Sequence, residues 1–179
     1  MADVFEVADF FIDIANRSED DQITNLKLNK LLYYAQGAFL ARTGRLLFDD
    51  AIEAWDLGPV VPEVYRRYKV CGKMPIVPEK AYINTSAFTE EEMEAMLDVA
   101  REYGQYTGAK LVSMTHRPNT PWSETRRLGE KVISSKIIKQ FFTEHPVTSI
   151  GTQINLEEVT VLPSDWYDPA EDAEWEAYL

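Results

Sequence analysis

The stretch NLKLNKLLYYAQGAFLAR, residues 25–42, decides the fold. Leu28, Leu31, Leu32, Ala35, Ala38 and Phe39 recur at the 3.6-residue spacing of one helical face, Thr24 stands ahead of them as an N-cap, and Gly44 supplies the stop. A long amphipathic helix is expected here. Upstream, Val4, Phe5, Val7, Ala8, Phe10, Phe11 and Ile14 share a second apolar helical face, with Asp3, Glu6, Asp9 and Asp13 mostly opposite it.

Downstream, residues 46–55 read as a strand or an irregular connection into Leu57-Gly58-Pro59, where glycine and proline force a turn. Pro62 suits the first turn of a helix through Val64, Tyr65 and Tyr68, ended by Gly72 and Pro75. Thr89 followed by Glu90, Glu91 and Glu92 puts an N-cap and three acids at the positive end of another helix, with Met93, Met96, Leu97, Ala100 and Tyr103 inward. A short helix over 109–115 follows, then a turn stiffened by Pro118 and Pro121, one more helical turn over 122–127, and a helix capped by Ser134 or Ser135. That helix points Ile137, Ile138, Phe141 and Phe142 inward and ends before Pro146. Weak alternation over 153–162 predicts a short C-terminal strand. The expected fold is a single compact domain, mainly α with a small β component, of about six helices. A short strand and an acidic tail extend it.

The 179 residues suit one ordinary domain, 45% of them hydrophobic. Thirty acids against eighteen bases give a net charge of −12, which repels nucleic acid phosphates and anionic membrane surfaces. Residues 1–150 hold 22 acids and 18 bases; residues 151–179 hold 8 acids and no base. This shift predicts a boundary between a domain over 1–150 and an extension over 151–179. The acids of the first segment break up any signal peptide, and no run approaches the roughly 20 apolar residues of a membrane span. With one cysteine, Cys71, and no membrane segment, a cytoplasmic protein is expected.

The chemical inventory is thin. His116 and His145 are the two histidines, without the spacing of a zinc hydrolase, and no glycine-rich phosphate loop precedes a helix. No metal, cofactor or catalytic residue is therefore expected. Cys71 reads as a small hydrophobe rather than a nucleophile, and Asp49 with Asp50 as solvated loop acids. His116, beside the two-proline turn, reads either as a structural hydrogen-bonder or as a general base with a neighbouring carboxylate. Trp55 and Trp122, both next to turns, read as core anchors or as binding hot spots. Lys27, Lys30, Arg42 and Arg45 form one basic group and Arg66, Arg67 and Lys69 a second; both read first as solvated helix faces, with an acidic partner or the chain's own tail as the alternatives.

The tail joins acids to spaced aromatics. Asp165, Trp166, Tyr167, Asp168, Glu171, Asp172, Trp175 and Tyr178 have the composition of segments ordered by a basic, partly apolar partner, or of a tail packed on its own domain.

Three separated motifs resemble the Panacea, or SocA-like, antitoxin domain family. The first is KLNKLLYYAQG over 27–37, containing Lys27, Leu28, Lys30, Leu31, Leu32, Tyr33 and Tyr34; the second is EAWDLGPVVPEVY over 53–65, containing Trp55, Gly58, Pro59 and Val60; the third is LVSMTH over 111–116 with Thr120, Pro121 and Trp122 after His116. The likeness runs from about Phe5 to Phe142. It implies a small, mainly helical, non-enzymatic cytoplasmic protein that neutralises a toxin encoded by an adjacent gene through protein contact. It also implies, for one branch, an adaptor that presents the toxin to a ClpXP-type protease. The motif positions then read as scaffold, and the extension after Ile150 lies outside the shared pattern. The residues themselves leave a small hydrolase using His116 as the alternative.

Overall fold

The computed structural model describes residues 1–16, 23–77 and 85–147. Within them the helices are α1 (Val4–Asn16), α2 (Asn25–Thr43), α3 (Pro62–Tyr68), α4 (Glu90–Tyr103), α5 (Gly108–Thr115), α6 (Pro121–Arg127) and α7 (Ser135–Glu144). The two strands are β1 (Glu53–Trp55) and β2 (Gly58–Val60). The chain is thus mainly helical with a small two-stranded sheet, and the segment read as one more helical turn is a full helix, α6. The predicted C-terminal strand and the boundary at residue 150 lie outside the described residues.

Local chemistry places the helix ends. Thr24 accepts from the Lys27 amide at the start of α2, and Gly44, at φ 73°, donates to Leu40 O at its end. Thr89 and Glu92 form a reciprocal capping box on α4, Thr120 and Ser123 another on α6, and Pro62 sits in the first turn of α3. The face of α1 is close to the expected one, except that Ile12 is buried while Phe5 and Ile14 are partly exposed.

The axis of the molecule is α2, against which α1, α3, α4, α5, α7 and β2 all pack. It is buried from Asn25 to Leu40 apart from Leu26, so it is not the amphipathic surface helix its periodicity predicts. A helix surrounded on every side must bury its polar face too. That face survives because each polar side chain reaches backbone atoms of the segments around it. Lys27 Nζ donates to Gly104 O at 2.6 Å, Lys30 Nζ to Pro59 O at 3.0 Å, and Asn25 Nδ2 to Tyr65 O at 3.1 Å. Asn29 accepts from the Val61 amide, and Gln36 bridges both backbone groups of Phe48. Among the described residues no buried side-chain nitrogen or oxygen lacks a hydrogen-bond partner. The basic group of helix 2 is corrected accordingly: Lys27 and Lys30 belong to the interior, while Arg42 joins Asp98 and Arg45 joins Glu91.

Close packing on α2 depends on Gly37, where an added Cβ collides with the Phe142 ring from α7. Tyr34 stacks on Tyr103 with centroids 3.8 Å apart, and Tyr33 and Tyr34 both meet Phe142 edge-on. Burial pushes both hydroxyls upward, so these tyrosines stay neutral.

Candidate functional site

The three motifs converge on one place, the β1–β2 hairpin. Its register pairs Glu53 with Val60, Ala54 with Pro59 and Trp55 with Gly58, leaving Asp56 and Leu57 as the turn. Two strands of three residues cannot satisfy their own backbone. The neighbouring segment helps on one side, where Ala54 N donates to Lys131 O and Ile133 N to Ile52 O, each at 2.8 Å.

Side chains distant in sequence supply the rest. Lys30 takes the Pro59 carbonyl, Trp122 Nε1 donates to Trp55 O at 2.7 Å, His116 Nε2 lies 2.8 Å from Asp56 O, and Arg126 Nη1 reaches Ala54 O at 3.4 Å. Arg126 also pairs with the Asp56 carboxylate at 2.6 Å, and Glu53 receives both Trp55 Nε1 and the Lys131 ammonium. Four hairpin carbonyls, those of Ala54, Trp55, Asp56 and Pro59, are met by side chains from α2 and the α5–α6 segment.

Gly58 is required at the centre. Its φ is 99°, and a Cβ there would lie 2.7 Å from Lys30 Cε and 2.8 Å from Thr115 Oγ1. Burial pushes the Lys30 ammonium down to about 7. A lysine in this fully buried position is a structural donor to the hairpin backbone.

His116 has little freedom for chemistry. Its Nδ1 lies 2.7 Å from Val112 O and its ring packs on Trp122 at 3.7 Å between centroids. Both nitrogens therefore face backbone carbonyl oxygens, whereas a general base needs one within reach of substrate. Trp55 is buried and meets Tyr65 edge-on; Trp122 is half-buried. Pro121 is buried in the first turn of α6, behind the Thr120 cap.

Thus Lys30, Trp55, Gly58, Pro59, Val60, His116, Pro121 and Trp122 gather at the hairpin. Lys27, Leu28, Leu31, Leu32, Tyr33 and Tyr34 lie along α2, in the core or against α4 and α7. The tail residues Asp165, Trp166, Tyr167, Asp168, Glu171, Asp172, Trp175 and Tyr178 lie outside the described residues. Sequence reasoning missed Asn25, Asn29, Gln36, Thr115 and Arg126; the one signal for the first three was polar side chains set into an otherwise apolar helix. Among the described residues no three His, Cys, Asp or Glu side chains converge as a metal site requires, and no helix is long and apolar enough to cross a membrane.

Comparison with known proteins bears on the same residues. The family model described as antitoxin SocA-like, Panacea domain, matches residues 28–123, which run from the first turn of the central helix through the hairpin to the His116–Trp122 turn. Antitoxin SocA of Caulobacter vibrioides (strain NA1000 / CB15N) is 33% identical over 129 residues, covering 67% of this chain and 68% of that protein. No solved structure matches.

Proposed function

The chain belongs to the SocA-like antitoxin family with a Panacea domain, and on that premise we propose that it is a non-enzymatic antitoxin. In this reading it neutralises a protein toxin encoded by an adjacent gene, in the cytoplasm, by direct stoichiometric contact. The observation that carries the reading is the family match over 28–123.

The geometry supports a division of labour. The motif side chains at the hairpin spend their polar groups on the chain's own backbone, so they serve as scaffold, and toxin choice falls to surfaces outside the shared pattern. We place one such surface in the extension over 151–179. Its Asp165, Asp168, Glu171 and Asp172 steer toward a basic toxin face, and Trp166, Tyr167, Trp175 and Tyr178 supply apolar anchors. Neither nucleic acid nor membrane is a partner in this reading, given the net charge of −12.

Co-expression with the adjacent gene product tests the proposal: a complex that survives purification and restored growth are expected. Absence of a complex, with the toxin still active, overturns it. Toxin half-life with and without this protein separates occlusion from delivery to a ClpXP-type protease, since only delivery shortens it.

A further inference from the structure

The surface after α3 differs from the rest of this acidic protein. Residues 66–77, RRYKVCGKMPIV, carry four bases and no acid. Arg66, Arg67, Lys69 and Lys73 are all exposed. Between them stand Val70, Met74 and Val77, which are 89%, 69% and 77% exposed, half of the large hydrophobic residues that are exposed among those described. The segment is anchored from below: Tyr68 and Ile76 are buried, Ile76 N donates to Ile23 O at 2.8 Å, and Arg67 lies over the Phe5 ring. It is a firm ledge with cations and aliphatic side chains on its outer face. Scattered exposed hydrophobics need no explanation, but three within eight residues, set among four cations, make a recognition surface.

We propose that this ledge docks the chain's own C-terminal segment, residues 163–179. That segment has the complementary chemistry, with six acids, no base, two tryptophans and two tyrosines. Carboxylates answer Arg66 and Lys69, while the indole rings cover Val70 and Met74 and meet the cations face-on. The nearby acids Glu63, which pairs with Arg66, and Asp9, which accepts from Tyr68, lower the net charge of the ledge without abolishing it.

The connection is long enough. The described chain ends at Val147, whose carbonyl accepts from Arg42 near the C-terminal end of α2, whereas the ledge lies by Ile23 and Asn25 at the N-terminal end. The 19 residues of α2 separate these points by about 28 Å at 1.5 Å per residue. Nineteen residues also lead from Val147 to Trp166, and they reach as far as about 63 Å. Because the two groups share one chain, weak pairwise attraction suffices for docking. Docking stands on the domain and its sequence alone and does not require the antitoxin reading. If that reading holds as well, a toxin that takes the tail must first displace it from the ledge.

The test uses the full chain without any toxin. A bimane fluorophore on Val70→Cys in a Cys71→Ser background reports contact with tryptophan by quenching. The expected result is a rise of at least about twofold in fluorescence when Trp166 and Trp175 are replaced by Phe, independent of protein concentration. The same rise is expected on adding 0.5 M NaCl, which shrinks the screening length to a few ångströms, or on Lys69→Glu with Lys73→Glu. These exposed positions tolerate substitution, and circular dichroism checks the fold of each variant. Fluorescence unchanged by the tryptophan replacements overturns the proposal. Quenching that grows with protein concentration also overturns it, because the tail then belongs to a second copy. Either failure leaves the family assignment and toxin neutralisation untouched.

Discussion

Lys30 places its ammonium nitrogen 3.0 Å from the carbonyl oxygen of Pro59, so a charge-bearing side chain from the central helix holds the second strand of the hairpin. The contact is fully buried, and burial brings the ammonium down to about 7 from its ordinary 10.5. Above pH 7 the unfolded chain therefore binds a proton at this lysine that the folded chain does not. Stability should rise from pH 7 to about 9.5, with a slope of at most about 1.4 kcal/mol per pH unit from this group. Above pH 10 the sign reverses, because Tyr33 and Tyr34 are raised and keep protons that the unfolded chain loses. Urea midpoints measured across this range should show the rise in the natural chain and its loss in Lys30→Met.

Gly58 and Gly129 both have positive φ, but only Gly58 has neighbours where a Cβ would go. Gly58→Ala should destabilise by at least about 2 kcal/mol, the sum of left-handed strain and overpacking. Gly129→Ala should cost only the strain. Equal losses in thermal unfolding would remove Lys30 and Thr115 from the explanation.

His116→Ala removes a ring nitrogen that lies against the Asp56 carbonyl, and Trp122→Phe leaves the Trp55 carbonyl without its indole donor, each at a cost of about 1–3 kcal/mol. Both variants should neutralise toxin fully at a temperature where they remain folded. A folded His116→Ala protein that fails to protect cells would reopen a chemical role for the imidazole.

Truncation after Leu162 should leave the melting temperature of the domain nearly unchanged and weaken toxin binding on the order of tenfold at low ionic strength. The difference should narrow as salt screens the acids. Titration calorimetry at two salt concentrations checks both statements.

Most of the helical outline is legible in the sequence because its signals are local. Thr24, Gly44, Pro62 and the Thr89 cap act within a turn of their own positions, and the structure uses each as read; the return bond from Glu92 that closes a capping box is an addition of the structure. The misread features are those set by remote neighbours. Lys27 and Lys30, three residues apart, have the spacing of a solvated basic stripe. Whether that side of α2 meets water depends on α4, α5 and the hairpin, which lie far along the chain. The turn at Gly58-Pro59 was legible, whereas the carbonyls it would expose and the side chains that meet them were not. The reading of 46–55 as a strand or a connection holds β1 at Glu53–Trp55, whereas its partner β2, three residues just beyond the Asp56-Leu57 turn, is too short for a strand pattern to announce.

The side chains that hold the hairpin come from 29, 60, 67 and 72 residues away along the chain. Contacts of such separation are the costly ones to form early, since the intervening chain must first be confined. The hairpin should therefore set late in folding, after α2 and the α5–α6 corner have met. Substitutions at Lys30, His116, Trp122 or Arg126 should then act mainly by accelerating unfolding, leaving the refolding rate close to that of the natural chain.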